Sequence, residues 1–212
     1  MLRGKTILVC SPHTDDGEFG CGATLARFLR EGKRVYYAVF STCQQSVPKG
    51  FPLDVLKKEQ SASAKAFGIG ARNLKIFDFP VRHFPAHRQA ILETLVALRK
   101  KIKPDIVFMP SARDIHQDHA TIAHETRRAF KNTVLLGYEL PWNTRHFKGN
   151  LFVTVEKKDL DKKIRALACY RSQQFRHYAD KELVVALARV RGAHAAVQYA
   201  EGFELINGIL TR

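Results

Sequence analysis

Thr6-Ile7-Leu8-Val9-Cys10, followed at once by Ser11-Pro12-His13-Thr14-Asp15-Asp16, is the stretch on which the fold turns. The first five residues are too few for a typical helix and rich in β-branched side chains, so they read as a strand buried on both faces. Gly17, Gly20 and Gly22 come next, and Ala23 to Arg30 then has the apolar spacing of a helix. In an open α/β sheet, ligands bind in the crevice beyond the carboxyl ends of strands. An imidazole and two adjacent carboxylates stand at that point here. Neighbouring carboxylates repel, and a cation or a proton relieves them. The competing reading of Asp15 and Asp16 is a helix cap, since Asp accepts the free N–H groups of a first turn.

Outward from this stretch, strand and helix signals alternate. Arg34 to Ser41 reads as a strand and Thr42 to Pro52, with Gly50 and two prolines, as a functional loop. Leu53 to Phe67 is helical and stops at Gly68; Leu74 to Phe79 alternates as a strand; Pro85 to Lys103 is amphipathic. Asp105 to Met109 is a further buried strand, then come a helix from Ala120 to Phe130 and strands at Thr133 to Tyr138 and Leu151 to Val155. Helices are expected over Lys157 to Gln174 and over Lys181 to Arg191, the latter ended by Gly192, and a short strand or turn over Tyr199 to Ile206. Such alternation means βαβ units and a mostly parallel sheet with right-handed crossovers. No linker or repeat interrupts it, and residues 1–212 are expected to form a single domain.

A second polar cluster follows the strand Asp105 to Met109: Ser111-Ala112-Arg113-Asp114-Ile115-His116-Gln117-Asp118-His119. His116 and His119, three apart at a helix start, can approach one locus. Asp118 between them can orient an imidazole. Alone, the segment reads equally as a solvated helix start. Two such clusters at two strand ends of one parallel sheet favour a metal site.

The composition of the 212 residues, 45% hydrophobic and 26% charged, is that of an ordinary globular chain. No apolar run approaches the roughly 20 residues of a membrane span. Met1-Leu2-Arg3-Gly4-Lys5 runs straight into the first strand with no signal-peptide pattern. The four cysteines, Cys10, Cys21, Cys43 and Cys169, show no framework spacing and read as small hydrophobes in a reducing, cytoplasmic setting. The net charge of +15 raises the question of nucleic acid. Its lysines and arginines are dispersed, however, and no basic tail or stacking stripe accompanies them. An anionic small substrate is the alternative use of the charge, for which Arg113, Arg145, Arg171 and Arg176 are candidates beside a plain solvated surface.

A His, Asp and His set suits a catalytic zinc with one position left open. A zinc-bound water ionises near pH 7, a spare carboxylate can take its proton, and a spare imidazole can stabilise an oxyanion or protonate a leaving amine. Imidazoles argue for zinc or iron over magnesium. The glycines of Gly17-Glu18-Phe19-Gly20-Cys21-Gly22 run in the reverse order to a dinucleotide-binding turn, and three carboxylates there would repel a pyrophosphate.

The paired motifs resemble the PIG-L (LmbE-like) family of zinc-dependent N-deacetylases, with signatures (A/P)HPDDE and HxDH. Pro12-His13-Thr14-Asp15-Asp16 with Gly20 to Leu25 is similar to the first, and His116-Gln117-Asp118-His119 to the second. The resemblance continues at Tyr138 to Trp142, Tyr170 to Gln173 and Tyr199 to Phe203. It implies a Rossmann-like three-layer α/β sandwich and one Zn2+ per chain, held by His13, Asp16 and His119. By the same resemblance Asp15 would be the general base, His116 the oxyanion stabiliser or acid, and Asp118 the group that tunes a neighbouring imidazole. The implied substrate is an N-acetylated amino-sugar conjugate, such as a sugar linked to inositol, malate or a lipid. Arg113, Tyr138 and Trp142 are expected to touch it, with core packing as the other reading of Trp142. Two departures stand out: Thr14 replaces the usual proline, and Gly17 the usual glutamate, with Glu18 one place later. A metal-retaining binding domain without turnover is therefore the rival expectation, ahead of a basic nucleic-acid binder. Oligomeric state stays open.

Overall fold

The computed structural model describes residues 4–208. Met1, Leu2 and Arg3, part of the stretch expected to lead into the first strand, lie outside the described residues. The elements in chain order are β1 (Thr6–Ser11), α1 (Asp16–Arg30), β2 (Arg34–Val39), α2 (Val55–Phe67), β3 (Leu74–Ile76), α3 (Arg88–Ile102) and β4 (Ile106–Pro110). There follow α4 (Gln117–Ala129), β5 (Val134–Tyr138), β6 (Leu151–Thr154), α5 (Lys157–Leu167), α6 (Lys181–His194) and β7 (Ala200–Asn207).

One seven-stranded sheet runs β3-β2-β1-β4-β5-β7-β6. β1 to β5 are parallel in their pairings, with Val9 opposite Tyr37 on one side and Phe108 on the other. β7 is antiparallel to both of its neighbours. The chain winds outward from β1 in one direction through β2 and β3, then in the other through β4 and β5. Between β1 and β4 the strand order reverses, which opens the crevice where α/β folds bind ligands.

Alternation along the strands makes the three layers. Ile7, Val9, Ile106, Phe108 and Leu136 pack with α1, α5 and α6 on one face. Leu8, Cys10, Val107, Met109 and Leu135 pack with α3 and α4 on the other. Strands buried on both faces read as continuous apolar runs, which is why β1 and β4 are conspicuous in the sequence.

Several elements differ from expectation. The helix expected from Ala23 begins at Asp16, so Gly17, Gly20 and Gly22 lie inside α1. A methyl group added at Gly17 would run into the Tyr37 hydroxyl and reach within 2.8 Å of Val9 Cγ1; at Gly20 it would overlap the Tyr138 ring. The glycines let α1 lie close against the sheet. The helix expected to reach Gln174 ends at Leu167 and gives way to a short turn at Arg171–Gln173. Gly192 does not end α6, which runs to His194; a Cβ there would sit 2.7 Å from the Val197 and Gln198 carbonyl oxygens. The terminal short strand or turn is an eight-residue strand inside the sheet.

Candidate active site

β1 and β4 end side by side, and the loops beyond them carry both polar clusters to one place. His13 Nδ1 and His119 Nε2 are 3.1 Å apart, and each is 3.2 Å from Asp16 Oδ2. Three ligands at about 2.0 Å from one tetrahedral ion stand about 3.3 Å apart, so this triangle has the size a metal requires. The far nitrogen of each ring meets a carboxylate: His13 Nε2 lies 2.9 Å from Asp118 Oδ2, and His119 Nδ1 2.8 Å from Asp114 Oδ2. Those partners hold a proton on the outer nitrogens and turn the lone pairs inward. Asp118 is itself fixed by the backbone N–H groups of Arg82 (2.6 Å) and Phe84 (3.1 Å).

A third imidazole, His116, joins His13 and His119 in a cluster whose nitrogens lie within 4.8 Å of one another, a group able to hold a metal ion. The triangle with Asp16 is tighter, and His116 has another tie, since its Nδ1 accepts the Asp118 N–H at 3.2 Å as the cap of α4. That leaves Nε2 as its N–H donor. Burial and the two neighbouring imidazoles pull its pKa down to about 4. His119 is the opposite case: burial alone would lower it, but Asp16 and Asp114 outweigh burial and raise it to about 10. Without a cation, a proton occupies the triangle, and the two compete for the same atoms.

Asp15 has no side-chain hydrogen bond among the described residues, although it is buried, and its φ is 75°. Burial, then the charges of Asp16 and Glu18, push its carboxyl well above the usual range. An unpaired carboxyl on a strained backbone is a hallmark of a functional position. Glu18, fully buried, lies on the other side of the loop and accepts from Gln60 (2.9 Å), Ser63 (2.7 Å), Tyr170 (2.8 Å) and the Tyr37 hydroxyl. The Tyr37 hydroxyl therefore fills the space that a side chain at position 17 would take. Ser11 Oγ, which donates to the His13 carbonyl at 2.7 Å and accepts from Gly17 N at 3.1 Å, completes the backing of the loop.

These groups open into a cleft of about 360 Å³ lined by Asp15, His116, Trp142, Asn143, Arg82 and Arg176, among others. Three of the five non-glycine residues with positive φ among the described residues, Asp15, Cys43 and Arg82, line it. A larger cleft, of about 690 Å³, lies at the amino end of β1 between Phe28 and Leu151–Thr154 and holds none of the imidazoles.

Of the expected site residues, the structure brings together His13, Asp15, Asp16, His116, Asp118 and His119. The Asp118 carboxylate lies against His13, on the other motif, while only its backbone N–H meets His116. Trp142 lines the cleft and also packs, stacked on Tyr178 at 4.0 Å and edge-on to Phe19 at 5.2 Å. Two expectations are corrected. Tyr138 is fully buried with its hydroxyl donating to the Cys10 carbonyl, and Arg113 is exposed with its Nε 3.7 Å from Glu204, so neither lines the cleft. Alternation in β5 turns Tyr138 to the α1 face. Asp114 and Arg82 escaped the sequence reading, and only Asp114, two residues before His116, carried a signal there; of the four arginines named as candidates for an anionic substrate, Arg176 lines the cleft.

Comparison with known proteins agrees with this arrangement. The family pattern of PIG-L, GlcNAc-PI de-N-acetylase, matches residues 8–130. The uncharacterized deacetylase YaiS of Escherichia coli K12 is 30% identical over 180 residues, 80% of this chain and 92% of YaiS. In fold the chain is similar to the N,N'-diacetylchitobiose deacetylase of Pyrococcus horikoshii, with a TM-score of 0.79, 20% identity and coverage of 95% and 84% of the two chains. It is equally similar to GalB of Pseudomonas putida KT2440, a 4-carboxy-2-hydroxymuconate hydratase, with a TM-score of 0.80, 19% identity and 98% coverage of each. The fold thus hosts more than one reaction, and the site decides. With both signatures converging on one metal-sized triangle and the family pattern spanning more than half its length, the chain belongs to the PIG-L family and is an amide-hydrolysing deacetylase.

Proposed function

We propose that the protein is a zinc-dependent N-deacetylase of amino-sugar conjugates, with the 212 residues acting as one cytoplasmic catalytic domain. The observation that carries this reading is the triangle of His13 Nδ1, Asp16 Oδ2 and His119 Nε2, with Asp15 unpaired beside it. Two imidazoles and a carboxylate suit zinc better than magnesium. A divalent cation held there would polarise the amide carbonyl and make water ionisable near pH 7.

The chain's own groups supply the rest. Asp15 takes the proton of the attacking water as oxygen bonds to the amide carbon. His116 donates its N–H to the carbonyl oxygen as negative charge gathers on it. Asp15 then passes the proton to the amine nitrogen as the C–N bond breaks, leaving acetate and a free amine. Asp118 and Asp114 keep the His13 and His119 rings turned inward throughout.

The finer reading is an anionic conjugate, such as a sugar phosphate or nucleotide sugar. It is supported by Arg82 and Arg176 in the cleft, the first with no side-chain partner among the described residues. The deciding test is zinc binding to the stripped protein with acetate release from N-acetylglucosamine conjugates. One zinc per chain, its loss in His119→Ala, and faster turnover of phosphorylated than neutral conjugates are the expected results. Full zinc retention in His119→Ala would sink the ligand assignment, and equal turnover of both substrate sets would remove the anionic preference.

A further inference from the structure

Asp15 stands between two cavities. The polar cleft with Arg82, Arg176 and Asn143 lies on one side. On the other is a cavity of about 390 Å³ between α5 and α6, floored by Phe19, Ile164, Leu167, Ala179 and Val184. Asp15 and Gln173 line both. The stacked pair Trp142 and Tyr178, with Phe19 edge-on to each at 5.2 and 5.6 Å, forms an aromatic wall beside this junction. Exposed Gln174, Asp180 and Lys181 stand at the rim of the second cavity.

An N-acyl amino sugar has the same asymmetry as this pair of cavities. Its sugar end needs hydrogen bonds and charge, which the polar cleft offers. Its acyl end needs apolar surface, which the second cavity offers within reach of the carboxyl that serves the amide carbon. An acetyl group, with one methyl, leaves most of that cavity unused. We propose that the cavity between α5 and α6 is an acyl-chain site, and that the enzyme removes medium-length acyl groups, of about six to ten carbons, better than acetyl. This deepens the deacetylase reading and rests on it. The reaction stays hydrolytic: water adds to the acyl carbon, the C–N bond breaks, and a fatty acid and a free amine leave.

The test is a series of glucosamines N-acylated with two, four, six, eight and ten carbons, given to the zinc-loaded full-length protein and followed by amine release. KM is expected to fall along the series, by up to about fourfold per methylene where the methylene is fully buried. Ala179→Trp, which fills the cavity from a loop position, is expected to lower kcat/KM for the octanoyl substrate at least tenfold more than for the acetyl one. Metal content and melting temperature confirm that the variant is folded. In the metal-stripped protein, quenching of Trp142, the single tryptophan, is expected to order the affinities in the same way. Acetyl as the best substrate, with rates falling along the series, overturns the proposal and leaves the deacetylase intact. A chain-length gain that Ala179→Trp does not touch places the acyl site elsewhere and also overturns it. No hydrolysis of any member removes both this proposal and the reading beneath it.

Discussion

Asp15 and Asp16 are adjacent and chemically identical, yet the structure separates them into an unpaired carboxyl and one tied to two imidazoles. Asp16 is held well below the usual carboxylate range: burial alone would raise it, and His119 and His13 outweigh burial. Asp15→Asn is expected to keep the metal and lose at least about a hundredfold in kcat, the usual contribution of a general base. Metal content measured beside kcat separates this from misfolding. Asp118→Ala and Asp114→Ala are expected to weaken metal binding about 10- to 100-fold, because each frees an imidazole to turn; competition with a chelator reads this directly. The candidate ligand residues were legible because each lies in a loop or helix start that follows a buried strand and carries unusual chemistry. Arg82 was not, and Arg176 was only one of four candidate arginines, since an arginine in a polar loop looks the same whether it faces a cleft or the solvent. Tyr138 misled for a related reason: a tyrosine at a strand end points to either face, and the register decides.

Among the elements, α1 carries the largest local stake. Midway along it, Ala23 N and Thr24 N donate to the Glu201 carboxylate at 3.1 and 2.7 Å, while Lys163 Nζ donates to the Phe19 carbonyl at 2.6 Å and to Glu201 at 2.7 Å. Gly22 bares the backbone there, where a Cβ would come within 2.9 Å of the Lys163 side chain, so an ion pair from α5 and β7 reaches it. Both charged groups are buried. Glu201→Gln leaves Lys163 without its counter-charge and is expected to cost about 3–5 kcal/mol in urea unfolding at pH 7. A loss below about 1 kcal/mol would mean that the pair is not a stabilising bolt. Glu125 of α4 holds α3 through Arg88 (2.8 Å) and is also paired within α4 by Arg128 (2.7 Å). Burial alone would raise its pKa, but those arginines outweigh burial and lower it. A lowered folded pKa means stability that is present above the unfolded value of about 4.3 and lost as pH falls through the folded value. Glu125→Gln should therefore lower the melting temperature at pH 7, with the gap to wild type closing in acid. The alternation of strands and helices was legible as a pattern of apolar runs. The extent of α1 was not, because glycines read locally as a turn and only contact with Tyr37 and Tyr138 shows why a helix needs them. Nor was the place of β7 inside the sheet between β5 and the edge strand β6, since both partners lie far away in sequence.

At the scale of the molecule, the charge of +15 and the polar cleft would act together on the anionic conjugate we propose. A positive field raises the local concentration of an anion, and salt screens it over about 8 Å at physiological ionic strength. KM for a phosphorylated conjugate is expected to rise with added salt while KM for a neutral one stays level. Arg82→Ala and Arg176→Ala should each raise the former about tenfold or more, the loss of one charged hydrogen bond. The same architecture carries a hydratase elsewhere, so we place the proposed reaction on the triangle and on Asp15 rather than on the sheet. The most direct test of that claim is acetate release by metal-stripped protein as zinc is added back. Activity that rises in proportion to zinc and breaks at one equivalent per chain is the predicted result. Turnover that survives complete removal of metal would contradict it.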